Sequence, residues 1–185
     1  ERPALAAKLV ELIRENGNRM TTGFVGTPYL LHALSENGYT DVAYTLLMQE
    51  QNPSWLYSVC HGATTMWEHW NSLKEDGSFW STDMNSFNHY AYGAVFDWIF
   101  GVACGIKTDP DAPAYRHINI APHPDRCLGF ADASIDTAYG TVRVHWYYKE
   151  NDRVAYEIDI PNGTTATLPL PGAAPVELQA GSYLW

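Results

Sequence analysis

The hydrophobic pattern of the chain changes its period part-way along, and this change limits the folds that the chain can adopt. Up to about residue 106 the apolar residues recur at helical spacing, and in residues 142–148 and 154–160 they alternate with polar ones. The run Asp109-Pro110-Asp111-Ala112-Pro113 cannot continue a helix, because each proline lacks a backbone donor and restricts the residue before it. We therefore predict an α+β chain with a helical segment at residues 1–108 and a small antiparallel β-sandwich at residues 109–185.

Five helices are predicted in the first segment from apolar spacing and from helix-ending residues. The first has Leu5, Leu9, Leu12 and Ile13 on its apolar face and ends at Gly17. The other four are expected at about Thr27–Gly38, from Thr40, from Asn52-Pro53 to Gly62, and from about Ser86 to Cys104. The last is apolar nearly all round, which is typical of a helix with neighbours on every side. Because five helices are too few to close a helical toroid, we expect the segment to be the last portion of a larger helical domain.

Composition excludes several classes of partner. Eleven basic against 21 acidic side chains give a formal charge of -10, which disfavours binding to nucleic acid and to anionic membranes. The most apolar stretch, residues 90–106, is short for a membrane span. Neither the three cysteines, at positions 60, 104 and 127, nor the histidines have metal-ligand spacing, so we expect no metal site and no cofactor. We expect the cysteines to be free thiols. Free thiols are typical of a reducing compartment, so we expect a cytoplasmic protein.

One carboxylate is placed where it could do chemistry. Glu68 lies between Trp67 and Trp70, just after the helix-ending Gly62, so it should occupy a helix-to-loop transition. A carboxylate in such an aromatic setting suits a base that activates water. The alternative is structural, because Thr65-x-x-Glu68 also matches the capping box, in which the glutamate only returns a hydrogen bond to the backbone.

Four stretches resemble one enzyme family in order and spacing. The sequence GATTMWEHW at residues 62–70 is similar to the GATT-hydrophobic-WE-x-W motif of glycoside hydrolase family 78, the bacterial α-L-rhamnosidases. Residues 22–28, TGFVGTP, resemble the TGF-x-GTP motif of that family, and residues 86–93, SFNHYAYG, resemble its SFNHYA-x-G motif. The stretch from His117 onward resembles the C-terminal β-domain of the family.

The resemblance implies a fold, a reaction and roles for particular residues. It implies the C-terminal part of an (α/α)6 barrel followed by a β-domain, and hydrolysis of terminal α-L-rhamnose with inversion. Glu68 would be the general base, His89 would hydrogen-bond a rhamnose hydroxyl, and Trp67, Trp70 and Trp80 would form walls of the sugar site. An inverting site also needs an acid about 6.5–9.5 Å from the base. In the family this acid lies in an upstream acidic segment that nothing in this sequence resembles.

Alternatives remain open from the sequence. The chain could belong to another helical-toroid hydrolase that acts on a different sugar, or it could be a non-catalytic carbohydrate-binding module. His89 could be a satisfied core histidine rather than a sugar ligand. The expected partners are rhamnose-containing glycosides or polysaccharides and the missing N-terminal portion of the same protein. Self-association of the chain through exposed apolar faces is a further expectation.

Overall fold

The computed structural model describes residues 1–169 and 174–185 of the chain. It divides into two compact units, Glu1–Phe96 and Asp97–Trp185. The first unit is mainly helical and the second holds eight strands in two sheets, so the predicted α+β class is confirmed. The predicted segment boundary at residue 108 falls inside the second unit, at the end of its first strand.

The helices of the first unit begin and end where proline, glycine and hydroxyl residues allow. Their bounds are α1 Arg2–Glu15, α2 Thr27–Ser35, α3 Thr40–Leu47 and α4 Trp55–Cys60. Beyond the ends of α1 and α2, Gly17 and Gly38 adopt φ values of +69° and +85°, which glycine tolerates without strain. At the start of α4 the side chain of Ser54 accepts a hydrogen bond from the backbone N–H of Tyr57, so the predicted start near Pro53 is confirmed within two residues.

The apolar face predicted for α1 is wrong in part. The buried residues are Ala6, Val10 and Ile13, whereas Leu5 and Leu12 are 70% and 50% exposed. Two apolar stripes run along this helix, and only one of them has neighbours in the described chain. Periodicity identifies both stripes, but it does not determine which of them the rest of the chain covers.

The predicted helix from Ser86 to Cys104 is also wrong in its start and its regularity. Residues 86–90 are not helical; a 3₁₀ turn at Ala91–Ala94 is followed by α5 at Val95–Trp98 and a π-helical turn at Ile99–Ala103. Tyr92 and Trp98 are buried, but Phe96 is 64% exposed, so neighbours do not surround this run on every side.

The second unit is a β-sandwich. Its strands are β1 Ile106–Thr108, β2 His117–Ile120, β3 Phe130–Thr137, β4 Gly140–Tyr148, β5 Val154–Ile160, β6 Thr165–Leu168, β7 Val176–Leu178 and β8 Gly181–Leu184. One sheet has the order β1-β2-β6-β7 and the other β3-β4-β5-β8. Ile118 and Leu168 of the first sheet share one apolar core with Val144 and Ile158 of the second. The predicted alternation in β4 is confirmed, since Val142, Val144 and Trp146 are all 0% exposed.

The expectation of a purely antiparallel sandwich is wrong at one pair of strands. β2 and β6 are parallel, with His117 opposite Thr165. The connection between them runs through β3, β4 and β5 of the other sheet, and a connection of that length lets the chain return in the same direction. Sequence alternation gives the faces of a strand but not the direction of its partner.

None of the helices in the described part of the chain is long and apolar enough to span a bilayer. The three cysteines are free thiols, as predicted, with Cys60 and Cys127 exposed and Cys104 buried.

Candidate functional site

The structure brings together the three motif segments of the helical unit. We call them the Thr22 segment (residues 22–28), the Glu68 segment (residues 62–71) and the His89 segment (residues 86–93). Each is largely loop: the Thr22 segment leads into α2, the Glu68 segment follows α4, and the His89 segment precedes and enters the 3₁₀ turn. Backbone hydrogen bonds and ring contacts join all three.

Main-chain hydrogen bonds hold the Glu68 segment beside the His89 segment. The N–H of Glu68 donates to the carbonyl of Ser86 over 2.9 Å, and the N–H of His89 donates to the carbonyl of Met66 over 2.8 Å. The hydroxyl of Thr65 also donates to the carbonyl of Phe87. Because Glu68 and His89 are themselves the backbone donors, the main chains that carry the two predicted site residues are fixed against each other.

The Glu68 carboxylate serves a different local purpose from the one that the capping-box pattern predicts. No helix begins at Thr65, so the capping-box alternative is wrong. Instead, Oε2 of Glu68 accepts the backbone N–H of Ser86 over 2.9 Å, while the side chain remains partly exposed. Among the described residues, none donates a hydrogen bond to Oε1. One carboxylate oxygen is therefore anchored and the other is available to a water or a ligand.

A layer of packed aromatic rings connects the three segments. The Trp70 ring stacks on Tyr92 with centroids 3.7 Å apart, and its Nε1–H donates to the carbonyl of Thr22 over 3.2 Å. The Trp55 ring meets Trp70 edge-on, and its Nε1–H donates to the carbonyl of Tyr92 over 2.9 Å. Burial raises the pKa of the Tyr92 phenol above its ordinary value. Trp70 thus ties the Glu68 segment to the other two.

His89 lies in a loop, two residues before the 3₁₀ turn, rather than on the helix that the sequence predicted. The backbone N–H of Ala91 donates to its Nδ1 over a long 3.4 Å, which favours the imidazole tautomer with the proton on Nε2. Its ring stacks on Phe24 with centroids 4.8 Å apart and planes 14° apart. The ring of Tyr90 is also nearly parallel, at 5.6 Å. The stacked rings give the Nε2–H donor of His89 a defined direction.

The other two predicted wall residues have contrasting environments. Trp67 is 5% exposed and packs edge-on against Phe87, whereas Trp80 is 44% exposed and stacks on His69 at 3.6 Å. The N–H of Trp80 donates to the carbonyl of Ser72, which fixes its backbone. The space left among Trp67, Trp70 and their neighbours is about 10 Å³, room for roughly one water molecule. A sugar would therefore meet exposed ring edges and faces rather than enter between the rings.

A larger, open depression of about 370 Å³ has none of the predicted sugar residues in its lining, although it reaches the end of the Glu68 segment at Asn71. It is lined by Asn52, Tyr57, Asn71, Lys74, Glu75 and Asp76. Burial, with smaller contributions from Glu75 and Asp76, raises the pKa of the Tyr57 phenol, whose OH donates to the carbonyl of Leu73.

Sequence reasoning missed Ser86, Phe24 and Tyr92 as parts of the site. Ser86 acts through its backbone, which no side-chain pattern reveals. Phe24 and Tyr92 both lie inside the motif segments, so the signal was present, but their ring contacts join residues that are far apart in sequence. Only the folded chain brings them together.

Comparison with known proteins agrees with the motifs. Residues 1–102 match the family profile described as bacterial alpha-L-rhamnosidase 6 hairpin glycosidase domain, and residues 105–184 match the bacterial alpha-L-rhamnosidase C-terminal domain. An alpha-L-rhamnosidase of Streptomyces avermitilis is 41% identical over 178 residues, which is 96% of this chain and 17% of that protein. One from Formosa agariphila is 43% identical over 164 residues, covering 89% of this chain and 17% of that protein.

Solved structures give the same result. The crystal structure of Streptomyces avermitilis alpha-L-rhamnosidase complexed with L-rhamnose superposes with a TM-score of 0.89 at 37% identity, covering 97% of this chain and 19% of that one. The native alpha-L-rhamnosidase of Aspergillus terreus superposes with a TM-score of 0.92 at 36% identity, covering 99% of this chain and 21% of that one. The chain thus spans about a fifth of the length of these relatives. Since the two profiles together cover nearly all of its residues, the chain belongs to the bacterial α-L-rhamnosidase family.

Proposed function

We propose that this chain is the C-terminal part of an inverting α-L-rhamnosidase and supplies its general base, Glu68. The observation that carries the proposal is the pair of fixed backbones at Glu68 and His89. Oε2 of Glu68 is held by the N–H of Ser86, which leaves Oε1 to take a proton from the attacking water. The Nε2–H of His89 donates to a hydroxyl of the rhamnose.

The proposed reaction needs a second carboxyl group. In an inverting glycosidase an acid about 6.5–9.5 Å from the base protonates the leaving oxygen, and the space between them holds the water. No carboxylate of this chain matches the family motif for that acid. We therefore propose that a part of the protein outside these residues supplies it, which agrees with the chain spanning about a fifth of its relatives.

Exposed apolar surface supports the proposal that the helical unit completes an (α/α)6 barrel together with further residues. Val25, Tyr29 and Tyr90 are 85%, 71% and 89% exposed, and α1 carries its second apolar stripe through Leu5 and Leu12. Leu5 and Leu12 lie on one helix face, and contiguous exposed apolar surface is typical of a face that another part of a protein covers. In isolation the chain is expected to associate with itself through these residues.

We propose that the exposed face of Trp80 is the main wall of the sugar site, and that Trp67 and Trp70 contribute less surface to it. Trp80 presents ring surface to solvent while its other contacts hold it in place. Trp67 and Trp70 have their rings packed against Phe87 and Tyr92, so they present less ring surface to a ligand than Trp80 does.

We also propose a cellular compartment and a class of substrate for the protein. Three free thiols agree with a reducing compartment, so we place the protein in the cytoplasm. Rhamnose-containing glycosides or polysaccharides are its proposed substrates, without nucleic acid or membrane as partners.

The test compares the full-length protein that carries this sequence with the isolated chain on p-nitrophenyl α-L-rhamnoside. We expect turnover by the full-length protein, inversion seen by NMR of the first-formed sugar, and no turnover by the isolated chain. Turnover by the isolated chain that Glu68→Gln abolishes would show that the acid lies within these residues.

Two alternatives have their own outcomes. Faster turnover of another aryl glycoside by the full-length protein would favour a hydrolase of a different sugar. Sugar affinity in the isolated chain, with full-length activity unaffected by Glu68→Gln, would favour a non-catalytic binding module.

A further inference from the structure

We propose that Phe24 is a positioning residue for the sugar site: its stacked ring fixes the plane of the His89 imidazole and thereby the direction of the Nε2–H. The inference rests on the proposed function, because it assigns a purpose to the orientation of His89. Phe24 belongs to the Thr22 segment, and the sequence motif by itself gives it no role.

One hydrogen bond fixes the backbone of His89, and a second, long one favours the Nε2–H tautomer but holds the ring weakly. The bond from the His89 N–H to Met66 is 2.8 Å long, so the Cα position is well defined. The bond from the Ala91 N–H to Nδ1 is 3.4 Å long, beyond the usual range for a good N–H hydrogen bond. Rotation about the last side-chain bond of a histidine is soft. Some other contact must set the ring plane.

Phe24 supplies the closest ring contact to the imidazole. Its ring lies 4.8 Å from the His89 ring at an interplanar angle of 14°. Tyr90 is parallel as well, but it is farther away at 5.6 Å and 89% exposed, so few atoms restrain its own ring. Rotation of the imidazole away from this plane would lose the overlap of the two ring faces. The stack therefore favours one orientation among those that the hydrogen bonds leave open.

Phe24 can restrain His89 because Phe24 is itself held. Its ring meets Tyr92 edge-on at 5.0 Å, and Tyr92 is 6% exposed beneath the stacked Trp70. The phenylalanine thus connects the imidazole to the buried aromatic layer, although 41% of its own surface remains exposed.

The loop that presents Phe24 is also rigid. The hydroxyl of Thr27 donates to the carbonyl of Gly23 over 2.8 Å, so it accepts from the hydroxyl of Thr22, which lies 2.8 Å away. A Cβ at Gly26 would lie 3.0 Å from the Thr22 methyl, so the turn closes tightly on itself. These contacts surround Phe24 in sequence and fix the position from which its ring extends.

The experiment is a double-mutant cycle in the full-length protein with Phe24→Leu and His89→Ala, read out as rhamnose affinity and as KM and kcat on p-nitrophenyl α-L-rhamnoside. Leucine keeps apolar volume but removes the flat face. We expect Phe24→Leu to weaken affinity about three- to tenfold, the scale of one aromatic pair. KM should rise with kcat nearly unchanged. The double variant should bind no more weakly than His89→Ala alone.

Two further variants serve as controls. Phe24→Tyr keeps the ring and should restore affinity to within about twofold, since the stack does not need the bare para position. Phe130→Leu makes the same substitution at an exposed ring of the β-unit, which lies edge-on to His145. Its effect should be small and should add to that of His89→Ala.

A spectroscopic measurement separates this inference from the proposed function. A ring stacked on His89 shifts the Hε1 resonance of that histidine upfield in a sample with ¹³C-labelled histidine, with or without rhamnose. The shift should decrease in Phe24→Leu, which leaves only the more distant Tyr90 ring, and should persist in Phe24→Tyr. Absence of the shift in the wild type, or additivity of Phe24→Leu with His89→Ala, overturns the positioning role. A wild type that shows the shift but neither binds nor hydrolyses rhamnoside overturns the proposed function instead.

Discussion

Glu68 and Ser86 bind each other twice: the N–H of Glu68 donates to the Ser86 carbonyl, and the N–H of Ser86 donates to Oε2 of the Glu68 side chain, both over 2.9 Å. The second bond orients the Glu68 carboxylate. Its donor, the backbone N–H of Ser86, belongs to the segment that also carries His89. The same bond gives Glu68 a structural contribution in addition to its proposed chemistry. Experiments on Glu68 must therefore separate the two.

Glu68→Gln separates them, because the amide oxygen can still accept the Ser86 N–H while the side chain can no longer take a proton. In the full-length enzyme we expect kcat to fall by about 10²–10⁴ with an unchanged melting temperature. Glu68→Ala should show the same kinetic loss and also lose about 1 kcal/mol of stability, because the part-buried N–H of Ser86 is left without its acceptor. Glu36→Gln, at an exposed carboxylate after α2, is the matched control. Normal turnover by Glu68→Gln would remove Glu68 as the base.

His89→Ala tests the proposed sugar contact. Loss of the Nε2–H donor should weaken rhamnose binding by about 1–3 kcal/mol, the usual cost of leaving a ligand hydroxyl unpaired in a site built for it. Isothermal titration calorimetry with rhamnose measures this directly. His145→Ala, in the β-unit, should leave the affinity unchanged. Equal affinities of the wild type and His89→Ala would make His89 a structural histidine.

Trp80→Ala should weaken substrate binding and Trp67→Ala should lower stability, because the Trp80 ring is exposed and the Trp67 ring is buried. Trp67 is 5% exposed, so its truncation should cost about 3–5 kcal/mol of stability. Trp80 is 44% exposed, so its truncation should change stability little and weaken rhamnoside binding. Urea unfolding and KM measurements distinguish the two variants. If Trp80→Ala leaves KM unchanged, its ring is not a wall of the site.

Gly105→Ala should strongly lower the free energy of unfolding of the β-unit. Gly105 has φ +76°, and an added Cβ would lie 2.1 Å from the backbone nitrogen of Pro122, which cannot move as a flexible side chain could. We expect a loss of about 4 kcal/mol or more, seen as a lower urea midpoint or as insoluble protein. Gly77→Ala has a similar φ of +79° but open space around it, so it should cost only about 1–2 kcal/mol. Similar losses in the two variants would mean that strain, not the clash, dominates.

Local sequence patterns predicted much of the secondary structure. The glycines at positions 17 and 38 lie at helix ends with positive φ, and the alternation of Val142, Val144 and Trp146 gives the buried face of β4. These features depend on residues close in sequence, where backbone sterics and the side-chain period of two or 3.6 act directly. Predictions that depended on distant neighbours were less successful, as with the exposed Leu5 and Leu12 and the non-helical residues 86–90.

The sequence by itself determined the order of helical and strand segments and the three motifs that mark the site. Only the tertiary structure decided how those motifs meet: Glu68 with the backbone of Ser86, and His89 with the ring of Phe24. A periodic pattern reports which face of an element is apolar, but the partner that covers that face comes from elsewhere in the chain. Backbone donors and acceptors are the same at every residue except proline, so the sequence does not mark which of them will anchor a carboxylate. That choice is made when long-range packing of the aromatic layer brings the loops together.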